Sequence, residues 1–339
     1  MIKIAIDCLG GDHSPDANID GALAALNKHT DLCVVLFGDE SVIKSKLEGK
    51  KYDKMRVEIV HAPVEVTGDD KPIDAFRLKK QSSMVSSVSR MREDETISAL
   101  VSVGSTAVLV GTSILRLGRI EGVRRPAFCP VLPTMNGGVV GLSDSGANVD
   151  CTPLQLHQYA VMASAYMTAM FGVENPRVAL LNIGVEPEKG DDLHREAYKL
   201  LAADKNINFV GNMESRDFLS GKYDLVVSDA FSGNVLIKST EGAALELLKK
   251  IKKDIMSSFI NKIGALFLKK MFMQEKEFMN YHNYGGSVLL GLEKIVVKGH
   301  GSSNAKAFEI CVDQAYKLVG SNLAGKIEKG IATTVEQDN

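Results

Sequence analysis

The sequence lacks the features that mark several large classes of protein. It contains no Trp and only 9 Pro in 339 residues, and its 40 Lys and Arg nearly balance 42 Asp and Glu. The resulting formal charge of −2 is too small for a protein whose whole surface binds nucleic acid. A composition of 45% hydrophobic and 24% charged residues excludes disordered, collagen-like and low-complexity chains. We therefore expect a large globular protein without a nucleic-acid partner.

Cysteine is scarce, and the five cysteines form no CxxC pair and no metal-type cluster. Reduced thiols in a cytoplasm, with no metal site, are the expected state. The chain opens directly into the apolar run 2–7, without the basic and apolar regions of a secretory signal. The uncharged stretch 97–115 holds eight Ser, Thr and Gly residues, which favours a strand, a glycine turn and a helix over a membrane span.

Four familiar catalytic signatures are also absent. The sequence has no GxGxxG, no GxxxxGK[ST], no GxSxG and no HExxH, and its nearest approach to a dinucleotide loop, at 136–141, is one residue wrong. These absences count against nicotinamide, ATP and serine hydrolase chemistry. A metal- and NAD-dependent hydroxyacid dehydrogenase stays as an alternative from a different class, as does a noncatalytic scaffold.

What the sequence does contain is a repeated pattern. A short apolar run ends in Gly, Asp, Asn or Ser and is followed by a helical segment, at residues 2–7, 32–37, 99–103, 178–183, 207–210, 225–227 and 295–297. Continuous apolar runs are typical of strands buried on both faces, so the pattern predicts a three-layer α/β/α sandwich around a mainly parallel sheet. Ligands bind such folds at the carboxyl ends of the strands, where these polar and Gly residues collect.

Residues 241–282 depart from this pattern and are predicted to form an inserted, protruding amphipathic helical hairpin. Apolar residues recur there at helical spacing, at Leu245, Leu248, Ile251, Ile255, Phe259 and Ile263. Residues 249–270 contain seven Lys and one Asp, which makes the hairpin basic. We expect residues 1–240 and 283–335 to form a single α/β catalytic domain, and the hairpin to serve dimer and membrane contacts.

Loops rich in Gly, Ser and Asn follow the predicted strands. Such a loop at a helix start offers backbone N–H groups and the positive end of a helix dipole to an anion. The segment 299–306 adds a cation, Lys306, while His13 and His300 could donate to an anion or relay a proton. In the alternative interpretation the glycines only shape strand-to-helix turns, with Ser303 or Asn304 as a helix N-cap.

Blocks of sequence along most of the chain resemble the phosphate acyltransferases of bacterial phospholipid synthesis, the PlsX family. They follow the family's order, at residues 4–15, 79–84, 118–127, 146–150, 180–184, 211–214, 284–286 and 300–305. The chain departs from the family, which usually has Asn and Gly at the positions of Ser105 and Ala107, Ala at Cys8, and Gly at Ala230. The difference at Ser105 removes any contact that an Asn side chain would make there.

The resemblance implies transfer of a long-chain fatty acyl group from acyl carrier protein thioester to inorganic phosphate, which gives acyl phosphate. It implies a fold related to isocitrate and isopropylmalate dehydrogenases and to phosphotransacetylases, a homodimer, and no organic cofactor. It also implies a downstream glycerol-3-phosphate acyltransferase that consumes the product. A phosphotransacetylase that acts on coenzyme A thioesters is the alternative within the same class.

This reaction needs an anion site, donors for an oxyanion and a cation, but no catalytic triad. Lys189 is our choice for the cation because it lies in a loop after a predicted strand, beside Gly190. The resemblance makes Asn234 a donor to the oxyanion or the phosphate. The candidates for binding phosphate and the carbonyl group are Gly10, Gly11, Asp12, His13, Gly104, Thr106, Asn148, Asp150, Gly233, His300, Ser302, Ser303 and Asn304.

Residues 261–273 carry bulky apolar side chains beside lysines at the expected turn of the hairpin. An apolar tip flanked by Lys matches a surface that inserts into an anionic bilayer. The protein is therefore expected in the cytoplasm, bound peripherally to the inner face of the cell membrane. The alternatives are that Leu266, Phe267 and Phe272 pack in a dimer interface, or that the lysines dock the acidic acyl carrier protein.

Overall fold

A computed structural model describes residues 1–278 and 281–335 and contains two β-sheets with helices packed on their faces. In chain order the strands are β1 (Ile2–Asp7), β2 (Leu32–Gly38), β3 (Val57–His61), β4 (Ile97–Ser102), β5 (Ala127–Cys129), β6 (Val131–Pro133), β7 (Val139–Ser143), β8 (Val178–Asn182), β9 (Phe209–Glu214), β10 (Leu225–Val227), β11 (Ser287–Leu290) and β12 (Ile295–Lys298).

The helices are α1 (Asp16–Lys28), α2 (Glu40–Leu47), α3 (Pro72–Leu78), α4 (Ser83–Glu93), α5 (Thr106–Leu117), α6 (Pro153–Phe171), α7 (Asp192–Ala203), α8 (Ala230–Met256), α9 (Phe259–Phe278), α10 (Ala305–Gly320) and α11 (Leu323–Val335). Short 3-10 helices lie at Lys54–Arg56, Ser215–Asp217 and Tyr281–Tyr284. None of the helices within the described ranges is both long and apolar enough to cross a membrane.

The first sheet has the order β3-β2-β1-β4-β12-β11-β5, and the second has the order β6-β7-β10-β8-β9. Pairing is parallel except where β11 meets β12 and β5, and where β6 meets β7. The predicted mainly parallel α/β class is therefore confirmed, with its strands divided between two sheets. The division falls at Pro130, which has no N–H to donate and separates β5 from β6.

The central strands are buried on both faces, as their continuous apolar runs predict. In β1, Ile4 and Ile6 belong to one apolar cluster while Ala5 belongs to another on the opposite face. The first cluster also contains buried side chains of α1 and α10 over the first sheet, and of α6 and α7 against the second. Because the two sheets share this cluster, they form one body rather than two separate cores.

The hairpin differs from its prediction in where it begins and turns. Its first helix, α8, is continuous from Ala230, so it starts well before residue 241. The turn lies at residues 257–258 and not within 261–273, since α9 already begins at Phe259. Ser257 ends α8 by donating its hydroxyl to the Asp254 carbonyl oxygen, a local bond that competes with helix continuation. The last part of the predicted hairpin, residues 279–280, lies outside the described residues.

Candidate active site

A cleft of about 520 Å³ opens where carboxyl ends of strands from both sheets come together. Its lining comes from the start of α5, the β5–β6 segment, the loop after β7, α8, the loop that leads into β11, and the end of β12 with the loop after it. The residues that line it are Thr106, Ala107, Phe128, Pro130, Val131, Leu132, Ser145, Gly146, Asn234, Ile237, Lys238, Glu241, Gly285, Gly286, Ser287, Lys298, Gly299, His300 and Gly301.

Three neighbouring strands of the first sheet end in polar residues beside this cleft. Asp7 ends β1, Ser102 ends β4 and Lys298 ends β12, and Lys298 pairs in register with Ser102. The Asp7 carboxylate is fully buried and accepts hydrogen bonds from Ser102 Oγ at 2.6 Å and from Ser83 Oγ at 2.5 Å. Burial raises the pKa of Asp7 to about 6, and these hydrogen bonds oppose the shift.

Lys298 brings a partly buried cation to the cleft. Its ammonium group donates to the carbonyl oxygens of Val103, at 3.5 Å, and Gly299. Burial lowers the pKa of Lys298 to about 8. Sequence reasoning missed this lysine because it chose Lys189 as the cation and considered, at the glycine loop 299–301, only the following Lys306. That residue lies on the exposed side of α10, paired with Glu309 at 2.9 Å.

Glycine loops after β1, β4 and β12 pack directly against one another. A Cβ atom on Gly10 would lie 2.8 Å from Gly104 Cα, and one on Gly11 would lie 3.1 Å from the Gly301 carbonyl oxygen. Both Gly10 and Gly11 have positive φ angles, 87° and 93°. The Asp12 N–H donates to the Gly301 carbonyl oxygen at 2.8 Å. The predicted convergence of these loops is present, and it requires glycine.

The opposite wall is held by Asp144, a residue absent from the predicted site. Its buried carboxylate accepts N–H hydrogen bonds from residues 145–148 and from Phe128. Burial raises the pKa of Asp144, while these hydrogen bonds oppose the shift. Asn234 Nδ2 donates to the Ser145 carbonyl oxygen at 3.1 Å. Since a Cβ on Gly233 would overlap the Asp144 carbonyl oxygen, glycine there lets α8 approach this wall.

Comparison with known proteins places the chain in a family. The family described as "Fatty acid synthesis protein" matches residues 2–326. The chain is 43% identical to the phosphate acyltransferase of Bacillus cereus (strain B4264) over 322 residues, which cover 95% of this chain and 96% of that protein. The chain belongs to this family. The family predicted from the sequence blocks is therefore confirmed.

Solved structures with the same fold have little sequence in common with this chain. A phosphotransacetylase from Streptococcus pyogenes superposes with a TM-score of 0.60 at 14% identity and covers 94% of each chain. A branched-chain phosphotransacylase from Enterococcus faecalis V583 gives 0.55 at 16% identity and covers 94% of this chain and 100% of that one. At such low identity the likeness extends to the fold alone.

The predicted site residues are unevenly distributed around the cleft. Thr106, Asn234 and His300 line it, whereas Gly10, Gly11 and Gly104 lie one layer behind. His300 Nδ1 lies 2.8 Å from Ser302 Oγ, and Ser303 is buried. The Asn304 side chain caps α10 by accepting the Ala307 N–H at 3.0 Å, which is the alternative function weighed for it.

Four other predicted residues lie outside the cleft lining. Lys189 is exposed in the loop between β8 and α7, where its carbonyl oxygen accepts from Asn182 Nδ2 at 3.0 Å. The Asn148 side chain is engaged in structural hydrogen bonds: its Nδ2 donates to the Pro126 carbonyl oxygen at 2.7 Å and to the Asp144 carboxylate at 2.8 Å. His13 and Asp150 are exposed. Their roles in binding remain predictions.

Proposed function

We propose that the protein transfers a long-chain acyl group from acyl carrier protein thioester to inorganic phosphate and releases acyl phosphate. The observation that carries this proposal is the mixed lining of the cleft. The lining includes Lys298 and a glycine loop, which suit an anion, and the apolar side chains of Val131, Leu132 and Ile237, which suit an acyl chain.

The chemistry asks little of the protein beyond positioning and charge. The second ionisation of inorganic phosphate occurs close to neutral pH, so a substantial share of it is dianionic there and attacks a carbonyl without a general base. A thiol with a pKa of roughly 8.5 leaves without strong acid help. We assign to Asn234 a hydrogen bond to the developing oxyanion, which its place on the cleft wall supports. Lys189, in the β8–α7 loop, is proposed as a second cation. Its long side chain carries the ammonium group toward the substrate.

A covalent acyl-cysteine is disfavoured by the state of the thiols. Cys8, Cys129 and Cys311 are buried, and Cys33 lies near the amino end of β2, outside the cleft lining. Burial raises the pKa of the partly buried Cys151 to about 12. A thiol with so high a pKa is a poor nucleophile at neutral pH because the thiolate is the reactive form. Direct attack by phosphate is therefore the proposed route.

The carrier protein, the dimer and the membrane are further parts of the proposal. Leu266 and Phe267 are 71% and 84% exposed on α9, close to Lys269 and Lys270, which supports contact with an anionic membrane surface. Phe259, 78% exposed, belongs to the apolar stripe that we propose pairs two subunits. Such a protein works in the cytoplasm at the inner membrane face, where it hands acyl phosphate to a glycerol-3-phosphate acyltransferase.

The test is direct detection of the product. Purified protein is incubated with inorganic phosphate and either palmitoyl-acyl carrier protein or palmitoyl-coenzyme A, and acyl phosphate is trapped with hydroxylamine. The proposal expects phosphate-dependent hydroxamate from the carrier protein substrate, above the amount that hydroxylamine forms directly from the thioester without phosphate. Hydroxamate from the coenzyme A substrate alone would instead support a phosphotransacetylase, and no hydroxamate from either would leave a noncatalytic protein.

A further inference from the structure

We propose that Lys298 is the phosphate-binding cation of the cleft, the residue whose ammonium group holds the nucleophile beside the glycine loop 299–301. This inference rests on the proposed function, since it names the group that binds the acyl acceptor. It concerns a residue that sequence reasoning passed over.

The position of Lys298 suits a fixed binding group. It is the last residue of β12, a strand in the middle of the first sheet, and it is followed directly by the glycine loop that lines the cleft. The strand is held on both sides, by β4 and by β11. A cation at this point is therefore placed by a rigid sheet rather than by a loop.

Its hydrogen bonds leave capacity for a ligand. An ammonium group has three donors, and two of them point to the carbonyl oxygens of Val103 and Gly299. These two bonds hold the side chain in place without neutralising its charge. The third donor is available to an acceptor in the cleft that Lys298 lines.

The charge of Lys298 lacks a direct counterion among the described residues. No carboxylate oxygen of residues 1–278 and 281–335 that the structure describes lies within 4 Å of its ammonium nitrogen. Lys238, the other lysine in the lining, pairs with Glu241 at 3.0 Å. A partly buried, unneutralised ammonium is unfavourable by itself, and a bound anion offsets that cost.

The surroundings favour phosphate over the other substrate. The first turn of α5 reaches the same cleft at Thr106 and Ala107, and the Ser105 side chain accepts no hydrogen bond there, so the first-turn N–H groups are not capped by it. A dianion gains from a cation and a helix start together. The thioester carries an uncharged carbonyl and an apolar chain, which the apolar side chains of the lining suit better.

Titration of Lys298 gives the inference a signature. The groups that act on its charge are Asp7 on β1 and Cys311 on α10, which favour the charged form, and Lys238 on α8, which opposes it. With its pKa lowered to about 8, the side chain is charged at pH 7 and loses its charge above pH 8. In the free enzyme, phosphate binding should therefore weaken as pH rises through that range.

The experiment compares Lys298→Met with Lys294→Met. Lys294 lies just before the opposite end of β12, and its ammonium group also donates to backbone carbonyl oxygens, those of Asp94 and Ile97 at 3.1 and 2.8 Å. It is a matched control for loss of a partly buried lysine next to this strand. Readouts are the Kd of inorganic phosphate by calorimetry and the KM for phosphate, with the melting temperature recorded for each variant.

We expect Lys298→Met to raise both the Kd and the KM for phosphate by at least about tenfold, the scale of one lost charged hydrogen bond. Lys294→Met should leave both constants within about twofold whatever its melting temperature. Unchanged phosphate binding in folded Lys298→Met overturns the inference while acyl phosphate formation by the wild type keeps the proposed function. If the wild type forms no acyl phosphate, the proposed function is wrong. The Kd of phosphate measured by calorimetry still tests whether Lys298 binds phosphate.

A second variant keeps the test decisive should Lys298→Met not fold. Arg stays charged at every accessible pH, so Lys298→Arg should remove the fall in kcat/KM for phosphate above pH 8 that the wild type shows. If the wild type and Lys298→Arg have the same profile between pH 7 and pH 9.5, Lys298 does not bind the nucleophile.

Discussion

Asp7 and Lys298 end two strands that flank β4, and both are forced toward their neutral forms by the same physical cause. Removal from water disfavours either charge, so the pKa of the acid rises and the pKa of the base falls. Asp7 keeps acceptor bonds from Ser83 and Ser102, and Lys298 keeps donor bonds to two carbonyl groups. The strand ends at the site thus hold two ionisable groups whose charged forms are disfavoured by burial. A bound anion would favour the charged form of Lys298.

Replacement of Asp7 by Asn should change how stability depends on pH. Because the folded pKa of about 6 lies above the ordinary value of 3.8 for an Asp side chain, the wild type loses stability as pH rises from about 4 to about 6. A shift of about two pKa units corresponds to about 3 kcal/mol. Urea unfolding of Asp7→Asn should lack this loss. The control is Asp12→Asn, an exposed carboxylate, and parallel curves for Asp7→Asn and the wild type would contradict the expectation.

Lys189 tests the cation selected from sequence. If its side chain reaches the substrate, Lys189→Ala should lower turnover by roughly 100-fold, the scale of one lost transition-state donor, and Lys189→Arg should restore little of it. Lys199→Ala is the matched control, since Lys199 is exposed on α7 and paired with Glu196 at 2.8 Å. If Lys189→Ala turns over nearly as fast as the wild type, Lys189 does not take part in the reaction, and the catalytic residues are those that line the cleft.

At the scale of elements, the three glycine loops form one packed unit at the carboxyl ends of β1, β4 and β12. Gly10→Val should raise the KM for phosphate or abolish activity, because a Cβ there meets Gly104 Cα. Gly49→Val separates strain from contact: Gly49 also has a positive φ, of 73°, but nothing lies within 4 Å of its Cβ position. We expect Gly49→Val to cost stability alone. Equal phosphate kinetics in folded Gly10→Val would reduce this loop to a structural turn.

Strands and helices that appear as a pattern of residue types along the sequence were predictable, whereas the contacts between these elements were not. The apolar runs of β1, β4 and β12 are visible in the sequence, and the rule that ligands meet strand ends brings their loops together. Lys298 was missed because only the pairing of β12 with β4 brings it level with Ser102. Asp144 was missed because its role depends on several backbone N–H groups folding around it. The turn was misplaced because Ser257 and Ser258 end α8 where the apolar period continues.

On the scale of the whole molecule, the hairpin extends directly from the site. Helix α8 carries Asn234 near its start and continues to Met256, where the chain turns into the exposed apolar face of α9. One helix therefore joins the cleft to the surface that we propose contacts a membrane. This continuity allows the membrane proposal to be tested apart from turnover.

The double variant Leu266→Glu with Phe267→Glu should lose binding to anionic liposomes in flotation, because each change replaces an exposed apolar side chain by an anion. Activity on soluble substrate and the mass by light scattering should be retained. Leu78→Glu, at a site 82% exposed on α3, is the control that should float like the wild type. Unchanged flotation, or a fall to monomer mass, would assign the patch to another role.

The central claim, direct attack of bound phosphate on the thioester, is tested most directly by a single-turnover experiment. Enzyme is mixed with an equimolar amount of palmitoyl-acyl carrier protein, with and without inorganic phosphate, and the released carrier-protein thiol is counted against acyl phosphate. The account predicts thiol release only when phosphate is present, with one acyl phosphate formed for each thiol. A burst of thiol without phosphate, leaving the acyl group on the enzyme, would contradict it.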